Sequence, residues 1–325
     1  MIIAYVPEGP ALKSMTLAAE DAIPPAAVWI DLLAPEPEEA AAVERLTRIT
    51  IPTRKKMREI EPTSRLFVDG DARFMTAALL CGSDTAAPSV EPATFILTHD
   101  RLISVRYTEP RAFVTVAAHL TRSCPSPVFS EFILIALLEA IVDQAADILE
   151  QIAAEVEDAS SRIFSSERSR SAGSDRYRAI LAQIARAEGV ISFGRESLAS
   201  LQRLLSFLGA DPDARPLSPG AHAPLKSMTR DIAGLSDYAA FLGDKVQFLL
   251  DATIGMVGIE QNNIMKIFAV LTLVLTPPTL ISSIYGMNFA HMPELQWPYA
   301  YPLALLAMLI SGILPYLYFK QRGWF

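Results

Sequence analysis

Two stretches near the C-terminal end carry no charged residue, 24 consecutive positions at 267–290 and 25 at 295–319. At about 1.5 Å per helical residue, each run is about 36 Å long, enough to cross a hydrocarbon core of about 30 Å. Two such runs in succession predict a membrane hairpin. The third apolar run, Phe132 to Leu138, meets Glu139 and Asp143 and is too short to span; it reads as the buried face of a soluble helix. The joining loop, roughly Met287 to Pro298, has no Lys or Arg, whereas Lys266, Lys320 and Arg322 flank the opposite ends. The positive-inside rule then places both termini in the cytoplasm. Trp297, Tyr299 and Tyr301 fall at the outer end and Tyr316, Tyr318 and Trp324 at the inner end, as interfacial aromatic belts do. The N-terminus lacks the basic and apolar regions of a secretory signal and begins like a strand.

Composition agrees with this and excludes several classes. Only 20% of the 325 residues are charged, and the net charge of −8 argues against a nucleic-acid partner, which needs a basic face. Cys81 and Cys124 stand in no CxxC pattern and read as reduced thiols. His99, His119, His222 and His291 show no ligand spacing, no nucleophile motif assembles, and no phosphate-binding glycine loop occurs. The sequence supports neither a resident cofactor nor an enzyme.

Ahead of the hairpin, short apolar runs punctuated by Pro, Gly and Asp predict strands at Ile2–Val6, Val28–Leu32, Arg73–Leu80, Thr94–Thr98 and Leu102–Tyr107, with a turn at Thr98–Arg101. Helices are expected at Glu36–Ile49 and Arg111–Arg122, making an α/β domain on a small sheet. Then come two long helices, about 128–168 and 174–209, separated by the Ser/Gly-rich break Ser169–Ser174. A connector with four prolines follows at 211–224. From Leu225 the chain runs 52 residues to Thr276 without proline, straight into the first span. A helix of that length is unstable alone in water and needs partners, from this chain or from copies of itself.

The most informative pattern lies on this helix. Gly258, Asn262, Met265, Ala269, Thr272, Thr276, Thr279 and Ser283 recur at alternating steps of four and three. One face therefore carries small or polar side chains plus one Met, while Ile, Val, Leu and Phe fill the rest. A spanning helix must hide such a seam from lipid. Close helix packing does so, and so does a water-filled pore built by several copies. Two spans from one chain cannot enclose an aqueous path, so a pore requires an oligomer. The seam also continues past the apolar run through Gly258 and Asn262. Pro277-Pro278 inside the span is compatible with both readings.

The first span ends Tyr285-Gly286-Met287-Asn288-Phe289, followed by Met292-Pro293-Glu294-Leu295. Here the chain resembles CorA-type magnesium transporters, whose hallmark is a Gly-Met-Asn triplet at the outer end of the first of two C-terminal spans, with an MPEL-like loop after it. Phe248–Asp251, Ile259–Asn263, Pro277–Thr279 and Tyr318–Lys320 extend the likeness, which is strong over about 245–325. The resemblance implies a homopentamer in the bacterial inner membrane, in contact with lipid, whose cargo is Mg²⁺ with Co²⁺ and Ni²⁺ tolerated. It implies an organisation into an N-terminal α/β domain (1–125), a long-helix part (126–224), a stalk helix (225–265), a pore-lining span (266–288), an outer loop (289–298), a second span (299–319) and a cytoplasmic tail (320–325).

Carried over by position, Gly286, Met287 and Asn288 form the entrance, and Asn262, Met265, Thr272, Thr276 and Thr279 line the conduit. Met265 with Phe268 makes a hydrophobic gate. Glu294, in a loop with no positive charge, is expected to raise the local cation concentration outside. Asp251, with Asp231 and Asp244 on the same helix, is the candidate for a regulatory metal, although Ser227 and Arg230 stand where some members carry acids. Partner acids on the N-terminal domain come from Asp69, Asp71, Asp84 and Glu91. Two rivals remain: a zinc transporter of the same superfamily, disfavoured by the intact Met-Asn and MPEL, and a membrane-anchored sensor or scaffold without transport.

Overall fold

A computed structural model describes residues 1–325 apart from 60, 83–87, 125–126, 165–172, 211–216, 289–291 and 323–325. Its strands are β1 (Ile2–Glu8), β2 (Ala11–Leu17), β3 (Trp29–Leu33), β4 (Leu66–Asp69), β5 (Ala72–Cys81), β6 (Ser89–Leu97) and β7 (Leu102–Arg106). They form one sheet in the order β2-β1-β3-β7-β6-β5-β4. All pairs are antiparallel except β3 with β7, which run parallel with Asp31 opposite Ser104. All five expected strands are present. The two that the sequence did not reveal, β2 and β4, are the edges of the sheet. An edge strand is solvated along one side, so β2 exposes Lys13, Ser14, Met15 and Thr16 and its pattern is weak. The Thr98–Arg101 turn closes β6 onto β7, with the Thr98 amide donating to the Arg101 carbonyl at 3.0 Å.

Short helices α1 (Pro37–Thr47), α2 (Arg54–Met57), α3 (Pro62–Arg65) and α4 (Arg111–Leu120) pass around the sheet. Arg48, at φ 59, ends α1 two residues before the expected limit. Two long helices follow, α5 (Ser130–Phe164) and α6 (Gly173–Ala210). Most of the expected break between them, residues 169–172, lies outside the described residues, as do Asp84, Phe289 and Trp324. Helix α7 runs for 64 residues, His222–Tyr285, about 96 Å at the usual rise. The expected connector at 211–224 is therefore too long at its end. The helix starts three residues before Leu225, because Pro224 in the first turn gives up an amide that has no helical acceptor there. Helix α8 is Ala300–Gln321.

The described chain divides into two compact units, one of Met1–Ser166 with Arg178–Leu250, the other of Glu167–Tyr177 with Asp251–Phe325. In the first unit, helices cover the sheet. Ser200 of α6 accepts from the Ala78 amide at 2.9 Å and Ser130 of α5 donates to the Thr98 carbonyl at 2.8 Å. Ile232, Ala239, Leu242, Val246 and Leu249 of α7 are buried, and Lys245 pairs with Glu157 of α5 at 2.5 Å.

The middle of the sheet holds an ion pair. Arg106 reaches Asp31 through Nη2 at 2.8 Å and through Nε at 3.1 Å, with both side chains buried. Ser104 donates to Asp31 Oδ1 at 2.6 Å, and Trp29 Nε1 donates to the Ser104 hydroxyl at 2.9 Å. Arg106 also donates to the Thr108 carbonyl at 2.7 Å and lies 4.8 Å above the Phe113 ring. Charge and hydrogen bonds thus sew the parallel β3–β7 pair together.

Tyr5 stacks on Trp29 with centroids 4.2 Å apart, and burial, reinforced by Asp31, raises its pKa to about 12. A phenol whose pKa is higher folded than unfolded keeps its full stability below about pH 10 and loses it as pH climbs toward 12. Tyr5→Phe removes this liability. Its alkaline unfolding midpoint, followed by circular dichroism, is expected to lie above that of the unaltered protein; an identical midpoint would count against the buried phenol as the trigger.

Candidate ion path

The second unit contains the helices long and apolar enough to cross a membrane, the later part of α7 and all of α8. Gly258, Asn262, Met265, Ala269, Thr272, Thr276, Thr279 and Ser283 are all exposed in the single chain, Met265 at 67%. Across the helix lie the residues that are covered, with Val270 buried and Val274, Pro277, Pro278 and Ile281 half-buried. At about 100° per residue, the covered row and the polar seam fall on opposite sides of α7. Helix α8 turns Ala304, Met308, Ser311, Gly312 and Pro315 inward as its half-buried row. A methyl group built on Gly312 would sit 3.5 Å from Pro278 Cγ and 3.5 Å from the Val274 carbonyl oxygen. The hairpin partner therefore sits behind α7, and the seam is left open.

The threonine hydroxyls are oriented. Thr272 donates to the Phe268 carbonyl at 2.9 Å, Thr276 to the Thr272 carbonyl at 2.6 Å and Thr279 to the Leu275 carbonyl at 2.7 Å. With each proton turned into the helix, the oxygen lone pairs face outward. The three threonine levels in this geometry offer acceptors and no free donor, which suits the water shell of a cation. Phe268, at 61% exposure, lies beside Met265 one turn below the first threonine.

Beyond Tyr285 the helix closes in a turn, with the Gly286 amide on the Ser282 carbonyl at 2.9 Å and the Met287 amide on the Ile284 carbonyl at 3.2 Å. A side chain at Gly286 would place Cβ only 3.2 Å from the Ser282 oxygen, so glycine permits the turn. Met287 and Asn288 follow it and are exposed. Glu294 belongs to a short 3₁₀ turn, Pro293–Gln296.

The acids of α7 do not converge. Asp231, Asp244 and Asp251 are all exposed. Steps of 13 and seven residues separate them by about 20 Å and about 10 Å along the helix. Among the described residues no three His, Cys, Asp or Glu side chains gather to hold a metal. Of the N-terminal acids, Asp69 and Asp71 are exposed on the β4–β5 hairpin, while Glu91 is paired with Arg54 at 3.2 Å and Arg58 at 2.8 Å. That pairing was not legible in the sequence, because α2 brings its cations back to β6 from more than 30 residues away.

Comparison with known proteins decides the family. Residues 25–321 match the model of the CorA-like Mg2+ transporter protein family. This chain belongs to that family. It is 33% identical over 298 residues to the magnesium transport protein CorA of Haemophilus ducreyi, covering 92% of each chain, and equally so to the protein of that name from Escherichia coli K12. Its fold superposes on the complete structure of the CorA magnesium transporter from Methanocaldococcus jannaschii with a TM-score of 0.74 at 18% identity, over 100% of this chain and 99% of that one. The α/β domain, the very long helix and the C-terminal apolar helix are thus the CorA fold.

Proposed function

We propose that this chain conducts Mg²⁺ down its electrochemical gradient through a path lined by the α7 seam, as a homopentamer in the bacterial inner membrane with both termini cytoplasmic. The observation that carries the reading is the placement of α8 against the face of α7 opposite Asn262–Ser283, which leaves the polar row for copies of itself. The relatives that match nearly the whole chain carry the name magnesium transport protein.

The chemistry is coherent with a hydrated ion. Mg²⁺ holds its waters tightly and demands near-octahedral geometry, so stripping it at the entrance is costly. A ring of Asn288 amide oxygens accepts hydrogen bonds from those waters, and the outward lone pairs of Thr279, Thr276 and Thr272 continue the same service inward. Neutral acceptors hold the ion loosely enough to let it leave. An inside-negative potential supplies about 4.6 kcal/mol per 100 mV for a divalent ion. Glu294, in a loop without positive charge, enriches cations outside. Asp251, Asp231 and Asp244 are the regulatory candidates; their spacing keeps them from sharing one ion within a chain, and each would bridge to a carboxylate of a neighbouring subunit.

Met265 and Phe268, repeated around the axis, close the path by dewetting. Met265→Gly is expected to raise Mg²⁺ leak several-fold into liposomes under conditions that close the parent protein; unchanged leak removes the gate from the account. The reading as a whole is tested by purified protein in liposomes offered Mg²⁺, Zn²⁺, Co²⁺ and Ni²⁺, with and without a proton gradient. Mg²⁺ entry independent of the proton gradient, with slower Co²⁺ and Ni²⁺ entry, is the expected result. Preference for Zn²⁺ supports the zinc rival, and no flux of any ion supports a scaffold.

A further inference from the structure

Pro277 and Pro278 lack amide protons, so the carbonyls of Leu273 and Val274 lose their i+4 donors at two successive positions. In a membrane span such carbonyls are costly unless a neighbour shields them, and the helix loses part of the ladder that keeps it straight. What stands beside this point is Gly312 of α8. Its missing side chain leaves the space in which a methyl would already touch both the Pro278 ring and the Val274 oxygen at 3.5 Å. The α8 backbone therefore packs closely against the weakened segment, with room for no more than a methyl group between them. Ser311, next to it, donates its hydroxyl to the Met308 carbonyl of its own helix at 2.9 Å.

Resting on the proposed conduction path, we infer that Gly312 is a positioning residue for ion passage. It seats α8 on the Val274–Pro278 break and fixes the direction in which α7 carries its seam across that break. Thr276 lies just before the proline pair and Thr279 just after it, on the face away from α8. Displacing α8 at Gly312 lets the two threonine levels shift against each other, although Gly312 touches no ion.

Three variants test this in liposomes, with Mg²⁺ flux normalised to assembled oligomer. Gly312→Ala places its methyl at ordinary contact distance and is expected to stay close to parental flux. Gly312→Leu has no room for its branches and is expected to lose about tenfold, an overpacked contact of ordinary size. Adding Pro278→Ala to Gly312→Leu removes the opposing ring and returns a donor to the Val274 carbonyl, so flux should recover; adding Pro277→Ala, which returns a donor to the Leu273 carbonyl but leaves the Pro278 ring in place, should leave it low. Parental flux per assembled oligomer in Gly312→Leu, or equal rescue by both proline substitutions, overturns the inference. Absence of flux in the parent protein defeats the conduction reading itself, a separate outcome from a flat Gly312 series over a conducting parent.

Discussion

Asn288→Ala is expected to lower Mg²⁺ influx by about a hundredfold, with the protein still inserted and assembled. The reasoning is additive. Each amide oxygen that accepts from a hydration water contributes about 0.5–1.5 kcal/mol net, and the ring of five in the proposed pentamer contributes several kcal/mol, whereas a hundredfold change requires only about 2.7. Alanine keeps the backbone of the Gly286 turn, whose hydrogen bonds run through main-chain atoms, and removes the side-chain amide with its acceptor oxygen. The control is Asn288→Asp, which keeps the carbonyl oxygen, exchanges the NH2 for a second oxygen and adds charge. That variant should saturate at lower Mg²⁺ and turn over more slowly, because a carboxylate ring holds a divalent ion too well. Parental flux from Asn288→Ala would remove the entrance from Asn288 altogether. Growth of a Mg²⁺-uptake-deficient host at limiting Mg²⁺ gives the same readout in cells.

The second large effect concerns stability. Asp31→Asn removes one partner of the buried pair with Arg106 and is expected to cost about 3–5 kcal/mol, a large share of the 5–15 kcal/mol that holds a typical domain together. The guanidinium would keep the Thr108 carbonyl and the Phe113 ring but lose its counter-charge. Asn keeps a single acceptor oxygen, so it can serve Ser104 or the guanidinium in the way Asp31 does, but not both. The measurement is thermal unfolding of purified protein in detergent. Replacing both partners with apolar residues, Asp31→Leu with Arg106→Met, should recover most of the loss, since no uncompensated charge remains. A cost below about 1 kcal/mol for either single variant would place the pair among weak surface bridges and contradict its burial.

Much of this molecule was legible in the sequence, and the remainder was hidden for identifiable reasons. Central strands announce themselves as apolar runs because both faces are covered, so the runs containing Ile30, Leu79, Ile96 and Ile103 all gave the strands observed. Edge strands do not, and both β2 and β4 escaped notice. Asp31 and Arg106 each stand as a lone charge in an apolar strand, which signals a partner. Their pairing joins parallel strands across a sequence separation of 75 residues, which no local pattern encodes. The seam of α7 needed only a period, and the Gly-Met-Asn and MPEL residues only a match. The direction of the threonine protons, the tight approach at Gly286 and the seat at Gly312 are properties of neighbouring backbone, invisible until the helices are placed.

The account depends most on which face of α7 meets water. With Cys81 and Cys124 replaced by serine, single cysteines at Thr272, Thr276 and Thr279 can be compared with cysteines at Val270, Val274 and Ile281, using a small charged thiol reagent on protein in liposomes while Mg²⁺ influx is recorded. The prediction is fast modification and blocked influx at the three threonine positions, and neither at the three positions on the α8 side. Modification on the α8 side with inert threonine positions, or labelling of the threonine positions that leaves influx untouched, would contradict it.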